Sequence, residues 1–343
     1  MRAAVLYKAL DLRLVDIDTP QITDEQVLIR VHSVGVCGSD IHYYEKGRIG
    51  SVVVLNPLIL GHECAGEISK VGGKVKNLKE GDRVAIEPGF ACGTCPYCRK
   101  GVYNLCDNMK FYATPPVNGA FCEYVAADAG FVYKIPDSMT YEEGSLIEPL
   151  SVGIHATRLG KVSTGKTVAI LGAGPIGLCT LQAVIASGAS KVFITDIRDH
   201  LLKCAKRLGA TEVVNASDED PVKKILELTD GRGTDIVIEA VGSRDTIRQT
   251  FEIAGKGGRI VLIGAVTEDE CQIRTLNILS KELTIKGLFR YANTYPTAIS
   301  LVSSGRINLK PLITHIFPLE QIHKAFKIAS EKSEDAIKVI IRI

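Results

Sequence analysis

Two rhythms of apolar and polar positions divide the chain. Over the first 150 residues, short apolar runs alternate with polar positions between glycines, as in residues 26–32, 65–71, 82–86 and 121–125. Period-two alternation bounded by turn residues predicts a β-rich domain with long connecting loops. From residue 161 onward the rhythm changes. Residues 167–171, 191–195, 235–239 and 259–263 read as strands, while 176–187 and 198–208 have helical length and spacing. Strands alternating with helices predict a doubly wound parallel sheet, an α/β domain. Past residue 286 short runs return, and the apolar run 336–342 reads as a strand going back to the first domain. No internal repeat or low-complexity tract interrupts this organisation.

One stretch competes with that reading. Residues 167–190 hold no Lys, Arg, Asp or Glu over 24 positions, a length that on hydropathy alone suggests a membrane helix. Gly172, Gly174, Pro175 and Gly177 crowd its first half and Gly188 its end. A buried strand, a tight turn and a buried helix account for them better, so no membrane association is expected.

Length and charge narrow the function. The 343 residues are 46% hydrophobic, which favours two compact domains over a tail or mini-protein. A formal net charge of +2 offers no concentrated basic face, so nucleic acid is not an expected partner and a small molecule is. The ten cysteines do not imply disulfides, because Lys8 and Asp11 break any secretory apolar segment at the N-terminus. A reducing, cytoplasmic setting makes them thiols or metal ligands.

Two kinds of site are legible. Gly172-Ala-Gly174-Pro175-Ile176-Gly177 follows a strand and opens an apolar helix. The first glycine permits the tight turn, the second admits a pyrophosphate, and the third lets helix and strand pack closely. Asp196 lies 19 residues after Gly177, at the end of the next strand, where an acid meets ribose hydroxyls. Such an acid repels a 2′-phosphate and favours NAD over NADP, although Arg198 close by is the residue a phosphate would want. The second kind is metal. Cys92, Cys95, Cys98 and Cys106 form a four-thiolate run suited to a closed structural zinc site. Cys37, His62 and Glu63 are all zinc-type ligands, but composition alone does not join Cys37 to His62 across the intervening chain.

A resemblance joins them. Cys37-Gly-Ser-Asp-Ile-His42, Gly61-His-Glu63, the four-cysteine run, Gly81-Asp-Arg-Val84, the segment from Glu148 to His155 and the glycine turn resemble, in order, the zinc-dependent medium-chain dehydrogenases. Residues 43–50, 146–155 and 287–291 look like the sorbitol (L-iditol) dehydrogenase branch. The resemblance implies a GroES-like catalytic domain of residues 1–155 and 286–343, with a Rossmann domain of residues 156–285 between them. It implies two zinc ions per chain, a catalytic one on Cys37, His62 and Glu63 and a structural one on Cys92, Cys95, Cys98 and Cys106. Glu148 stands where alcohol dehydrogenases carry a further cysteine, and whether it would meet zinc directly or through water stays open. The preferred arrangement puts Glu63 on the metal and Glu148 at the bound water or substrate.

Ser39 and His42 match positions that relay the alcohol proton. Tyr43, Arg290 and Tyr291, with Glu148, match substrate-contacting positions, and their donors suit a chain of hydroxyls. Gly172, Gly174, Pro175, Ile176, Gly177, Asp196, Ile263 and Gly264 are the expected NAD contacts. The activity so implied is oxidation of a polyol such as sorbitol or xylitol at its C2 hydroxyl, with hydride passing to NAD+. An L-threonine or vicinal-diol dehydrogenase is the alternative enzyme, and a non-catalytic protein retaining the fold is the alternative of another class. The resemblance further implies a homotetramer.

Overall fold

The structure, a computed structural model, describes residues 1–264 and 270–343. These fall into two compact units, residues 1–148, 295–303 and 313–343 in one and residues 149–294 and 304–312 in the other. Set beside the expected divisions at 155/156 and 285/286, the changes of unit come at 148/149 and 294/295, and 304–312 joins the second unit.

The first unit is built on a mixed sheet. Among the described residues its strands run in the order Val132–Lys134, Arg83–Ile86, Glu63–Val71, Gln26–Gly35, Lys338–Arg342 and Ile313–Pro318, with Tyr124–Asp128 also paired to Gln26–Gly35. Val27, Ile29 and Val31 are buried at alternate positions of Gln26–Gly35, the pattern of a strand with one face on the core. That core contains Leu6, Ile68, Ile86, Phe121 and Phe326, the last two rings meeting edge to face at 5.6 Å. The expected strand at 336–342 is present as Lys338–Arg342, with Ile340 opposite Gly35.

The second unit is a parallel sheet in the order Glu212–Asn215, Lys191–Asp196, Thr167–Leu171, Thr234–Glu239, Ala254–Leu262 and Thr284–Gly287 among the described residues. Numbered along the chain this is 3-2-1-4-5-6, the Rossmann order. The uncharged stretch resolves into strand Thr167–Leu171 and helix Pro175–Ala186, whose positions 177–184 are all buried. Among the described residues no helix is long and apolar enough to cross a membrane.

Space at the turn between them is tight. Gly172 has φ of +102°, open to glycine at little cost, and a Cβ on Gly177 would lie 1.9 Å from the Gly172 carbonyl oxygen. Backbone rather than a movable side chain blocks that position. Gly177→Ala is therefore expected to destabilise the protein by about 1–3 kcal/mol in urea unfolding, the usual cost of overpacking. An unchanged midpoint would show that helix and turn are not in this close contact.

Candidate active site and metal centres

Cys37 follows strand Gln26–Gly35 as the cap of helix Gly38–Lys46, Glu63 opens strand Glu63–Val71, and His62 immediately precedes it. Buried Asp40 ties the two segments together. Its Oδ2 accepts the Cys37 N–H at 2.9 Å and its Oδ1 the Gly61 N–H at 2.9 Å. One ligand atom each from Cys37, His62 and Glu63 then lies within 4.8 Å of the others. Strand pairing does the rest, since Gly35 stands opposite Glu63 and a Cβ on Gly35 would meet Glu63 Oε2 at 2.1 Å.

The electrostatics are those of a cation site. Burial opposes charge on the His62 imidazole, yet the Cys37 sulfur, Asp40 and Glu148 outweigh it and hold its pKa up at about 10. Burial also pushes the Asp40 carboxyl up, against His62 and the two amides. A buried imidazole that keeps a proton beside a sulfur and carboxylates marks a place where positive charge is wanted. Sulfur, imidazole and carboxylate together are a zinc donor set, so these residues fit the ion that the sequence resemblance implies.

Sequence reasoning missed the group that balances Glu63. Lys338, 3% exposed, lies 2.6 Å from both Glu63 carboxylate oxygens through Nζ and donates to the Val36 carbonyl at 3.0 Å. Burial works against its charge, but Glu63 and Cys37 raise its pKa. A single lysine inside the apolar run 336–342 was the available signal. Glu148, in the first turn of helix Ile147–Gly160, is buried and lies outside the three-ligand group, though its charge acts on His62 and Lys338. Phe111 faces the His62 ring at 5.5 Å.

Ser39, His42 and Tyr43 share helix Gly38–Lys46 at i, i+3 and i+4, so the structure puts them on one face of the helix that Cys37 caps. Tyr43 is buried, and Ser39 and His42 are half-buried. Arg290 and Tyr291 belong to the second unit, just beyond strand Thr284–Gly287, with Arg290 over the Phe289 ring and Tyr291 buried.

The four-cysteine lobe is assembled as the spacing implied. Its sulfurs lie within 4.8 Å of one another, with Cys95–Cys98 and Cys92–Cys106 each at 3.5 Å. The Thr94 hydroxyl and backbone amides draw the Cys92 thiol down to about 5, whereas desolvation and neighbouring sulfurs push Cys98 up to about 12. Amides of Cys92 and Asn108 point at the Cys106 sulfur at 3.3 and 3.4 Å. Four sulfurs this close cannot all be charged alone, and a divalent ion removes the conflict.

The glycine turn is held in place by its neighbours. Gly174 caps helix Pro175–Ala186, and the space over its α-carbon is open. Asp196 ends strand Lys191–Asp196; its Oδ2 accepts the Ala173 N–H at 2.8 Å, and its Oδ1 accepts the N–H groups of Ile197 and Arg198. Arg198 turns its Nε to the same carboxylate at 3.4 Å. Ile263 and Gly264 follow strand Ala254–Leu262, and the Ile263 N–H bonds the Glu239 carbonyl at 2.8 Å. All these residues stand at carboxyl ends of parallel strands, where open α/β sheets bind ligands.

The charge balance at Glu63 is open to test. In metal-stripped protein, Lys338→Met is expected to cost about 3–5 kcal/mol in urea unfolding, because it strands a buried carboxylate, and adding Glu63→Gln is expected to restore most of that loss. A loss below about 1 kcal/mol would show that the pair does not carry the charge balance.

Comparison with known proteins agrees with this geometry. Residues 23–137 match the alcohol dehydrogenase GroES-like domain and residues 175–304 the zinc-binding dehydrogenase family. A sorbitol dehydrogenase of Bacillus subtilis is 43% identical over 341 residues, 99% of this chain and 97% of the relative. An Escherichia coli oxidoreductase/dehydrogenase of unknown specificity superposes with a TM-score of 0.96 at 41% identity, covering 100% of this chain and 99% of that one. The 2R,3R-butanediol dehydrogenase of B. subtilis follows at 0.91 and 33%, with 100% and 99% covered. By sequence and by architecture the chain belongs to the zinc-dependent medium-chain dehydrogenases, in their sorbitol dehydrogenase branch.

Proposed function

We propose that the protein is a zinc-dependent, NAD-linked polyol 2-dehydrogenase that converts a sugar alcohol such as sorbitol or xylitol to its ketose. The observation that carries this reading is the buried group of Cys37, His62 and Glu63, with Glu148 as a further acid acting on it. When bound, zinc supplies Lewis-acid polarisation of the alcohol oxygen and NAD+ supplies a hydride acceptor. The carbinol loses a hydride and a proton, giving ketone, NADH and one released proton.

The chain's own residues do the remaining work. Cys37, His62 and Glu63 hold the metal, Lys338 keeps the Glu63 carboxylate charged and oriented, and Glu148 positions the bound water or substrate. Ser39 and His42 pass the alcohol proton along their shared helix face toward solvent. Tyr43, Arg290 and Tyr291 offer donors to the remaining hydroxyls, which a simple aliphatic alcohol would leave unpaired. Gly172, Gly174, Pro175, Ile176 and Gly177 bind the pyrophosphate, Asp196 the adenosine ribose, and Ile263 and Gly264 the nicotinamide side. Arg198 is already engaged by Asp196, which supports NAD over NADP.

A homotetramer is the proposed assembly. The exposed apolar side chains Leu276, Leu279, Ile285 and Phe289, on and beside the edge strand Thr284–Gly287, support self-association. The cytoplasm is the proposed compartment, because five cysteines assigned as zinc thiolates need reducing conditions.

The likeness to a butanediol dehydrogenase keeps a vicinal diol as the second reading. NADH absorbance with sorbitol, xylitol, L-threonine and 2,3-butanediol separates them. Turnover of a sugar alcohol that a strong chelator abolishes is expected; turnover of the diol alone would move the enzyme to the second reading. Gly174→Ala tests the cofactor site. Its Cβ enters open space, and alanine is less favoured than glycine at a helix N-cap, so unfolding is expected to shift by no more than about 1 kcal/mol. NADH affinity, read by fluorescence, is expected to fall at least about tenfold. Unchanged affinity would remove the pyrophosphate from this turn.

A further inference from the structure

Glu87 takes no part in the site described so far, yet it is buried to 1% exposure. It follows strand Arg83–Ile86, whose Ile86 pairs with Cys64. Glu87 itself lies just past that strand, its N–H donating to the Phe131 carbonyl at 2.9 Å. Both of its oxygens are used. The Tyr103 hydroxyl donates to Oε1 at 2.8 Å and the Tyr133 hydroxyl to Oε2 at 3.0 Å. Tyr133 lies on strand Val132–Lys134 of the mixed sheet, while Tyr103 lies in the four-cysteine lobe, between Cys98 and Cys106.

The Tyr103 ring also meets Phe131 edge to face at 5.9 Å, and a narrow neck of chain leads into and out of the lobe. Chain enters it after Gly89–Phe90 and leaves before Lys110–Phe111, and these two short strands pair with each other. Phe111 at the exit is the residue whose ring faces His62. A carboxylate that grips one tyrosine on each side of this neck is a fastening between the lobe and the sheet.

We propose that Glu87 is a positioning residue that fastens the four-cysteine lobe to the sheet bearing Cys37, His62 and Glu63, through Tyr103 and Tyr133. The fastening is sensitive to protons. Burial pushes the Glu87 carboxyl up to about 7; the two phenols oppose this and the Glu148 charge adds to it. These three groups are the titratable neighbours acting on it, from the lobe, from strand Val132–Lys134 and from helix Ile147–Gly160. Above about 7 the carboxylate accepts from both tyrosines, and below it the added proton removes one acceptor site. The lobe is held more firmly on the alkaline side.

The test compares wild type, Glu87→Gln, Tyr103→Phe and Tyr133→Phe as zinc-loaded holoproteins. Two readouts are followed from pH 6 to 8.5: tyrosine near-UV absorbance, and the rate at which lobe zinc passes to a chromophoric chelator. Wild type is expected to show an inflection near 7 in both, the second superimposed on the smooth effect of thiolate protonation. Glu87→Gln keeps the shape but does not titrate, so its inflections vanish and zinc transfer at pH 8 quickens about tenfold, the worth of one charge-assisted hydrogen bond. Tyr103→Phe is expected to quicken transfer equally, and Tyr133→Phe less. Wild-type transfer rates together with a retained inflection in Glu87→Gln would overturn the proposal. Should Glu87→Gln fail to fold, Tyr103→Phe decides alone, with a wild-type rate counting against Glu87. The proposal rests on the lobe holding zinc. A lobe without metal in wild type would refute that assignment, and the tyrosine inflection would still decide for or against Glu87.

Discussion

The contact between Lys338 and Glu63 is the constraint on which the first unit depends. The core around them also holds Asp40, His62 and Glu148, all buried. Negative charge at this density is costly in a low-dielectric interior unless every group has a partner. Asp40 has two amides, His62 has the Cys37 sulfur, and Glu63 has the ammonium of Lys338. A metal ion held by Cys37, His62 and Glu63 would enter a cage already shaped by the partners of those residues.

This explains why the first unit is assembled from both ends of the chain. Lys338 lies 275 positions after Glu63, and it reaches the carboxylate because strand Lys338–Arg342 pairs with Gln26–Gly35, the strand that also pairs with Glu63–Val71. Register decides the contact: a slip of one residue would turn Lys338 to the other face of the sheet. The site therefore depends on the last strand as much as on the motif residues near the start.

Patterns that are local in the chain were legible in the sequence, and contacts between distant segments were not. The apolar pattern marks strand Thr167–Leu171 at its observed bounds and helix Pro175–Ala186 within one residue of them, and the spacing marks the cysteine lobe. The run 121–125 misled. Phe121 and Cys122 are apolar because they fill the core from a loop, bonded to Ala4 and bridged to Ala3, and the strand itself begins at Tyr124. The apolar pattern starts strand Ala254–Leu262 five residues late, because Gly255, Gly257 and Gly258 interrupt its signal. A Cβ on Gly255 would meet the Arg232 carbonyl at 2.7 Å, so close backbone approach accounts for that glycine. Asp40, Glu87 and Lys338 escaped because a buried charge reads as a surface charge until its partner is known. Of the five cysteines outside the two metal-type groups, Cys64, Cys122, Cys179 and Cys204 are buried, as small apolar filling would be, and Cys271 is half-buried.

Asp196 shows how cofactor choice and folding become linked in one group. Its carboxylate accepts the Ala173 amide inside the glycine turn and two further amides at the end of its own strand. The acid that would meet the ribose hydroxyls is thus also the clasp that holds the glycine turn to the next strand. Removing it to admit a 2′-phosphate would free Arg198 and at the same moment leave the Ala173 N–H without its acceptor. A change of cofactor here requires a replacement that still accepts from Ala173, such as a short neutral hydroxyl or amide, since charge and clasp reside in different properties of the same side chain.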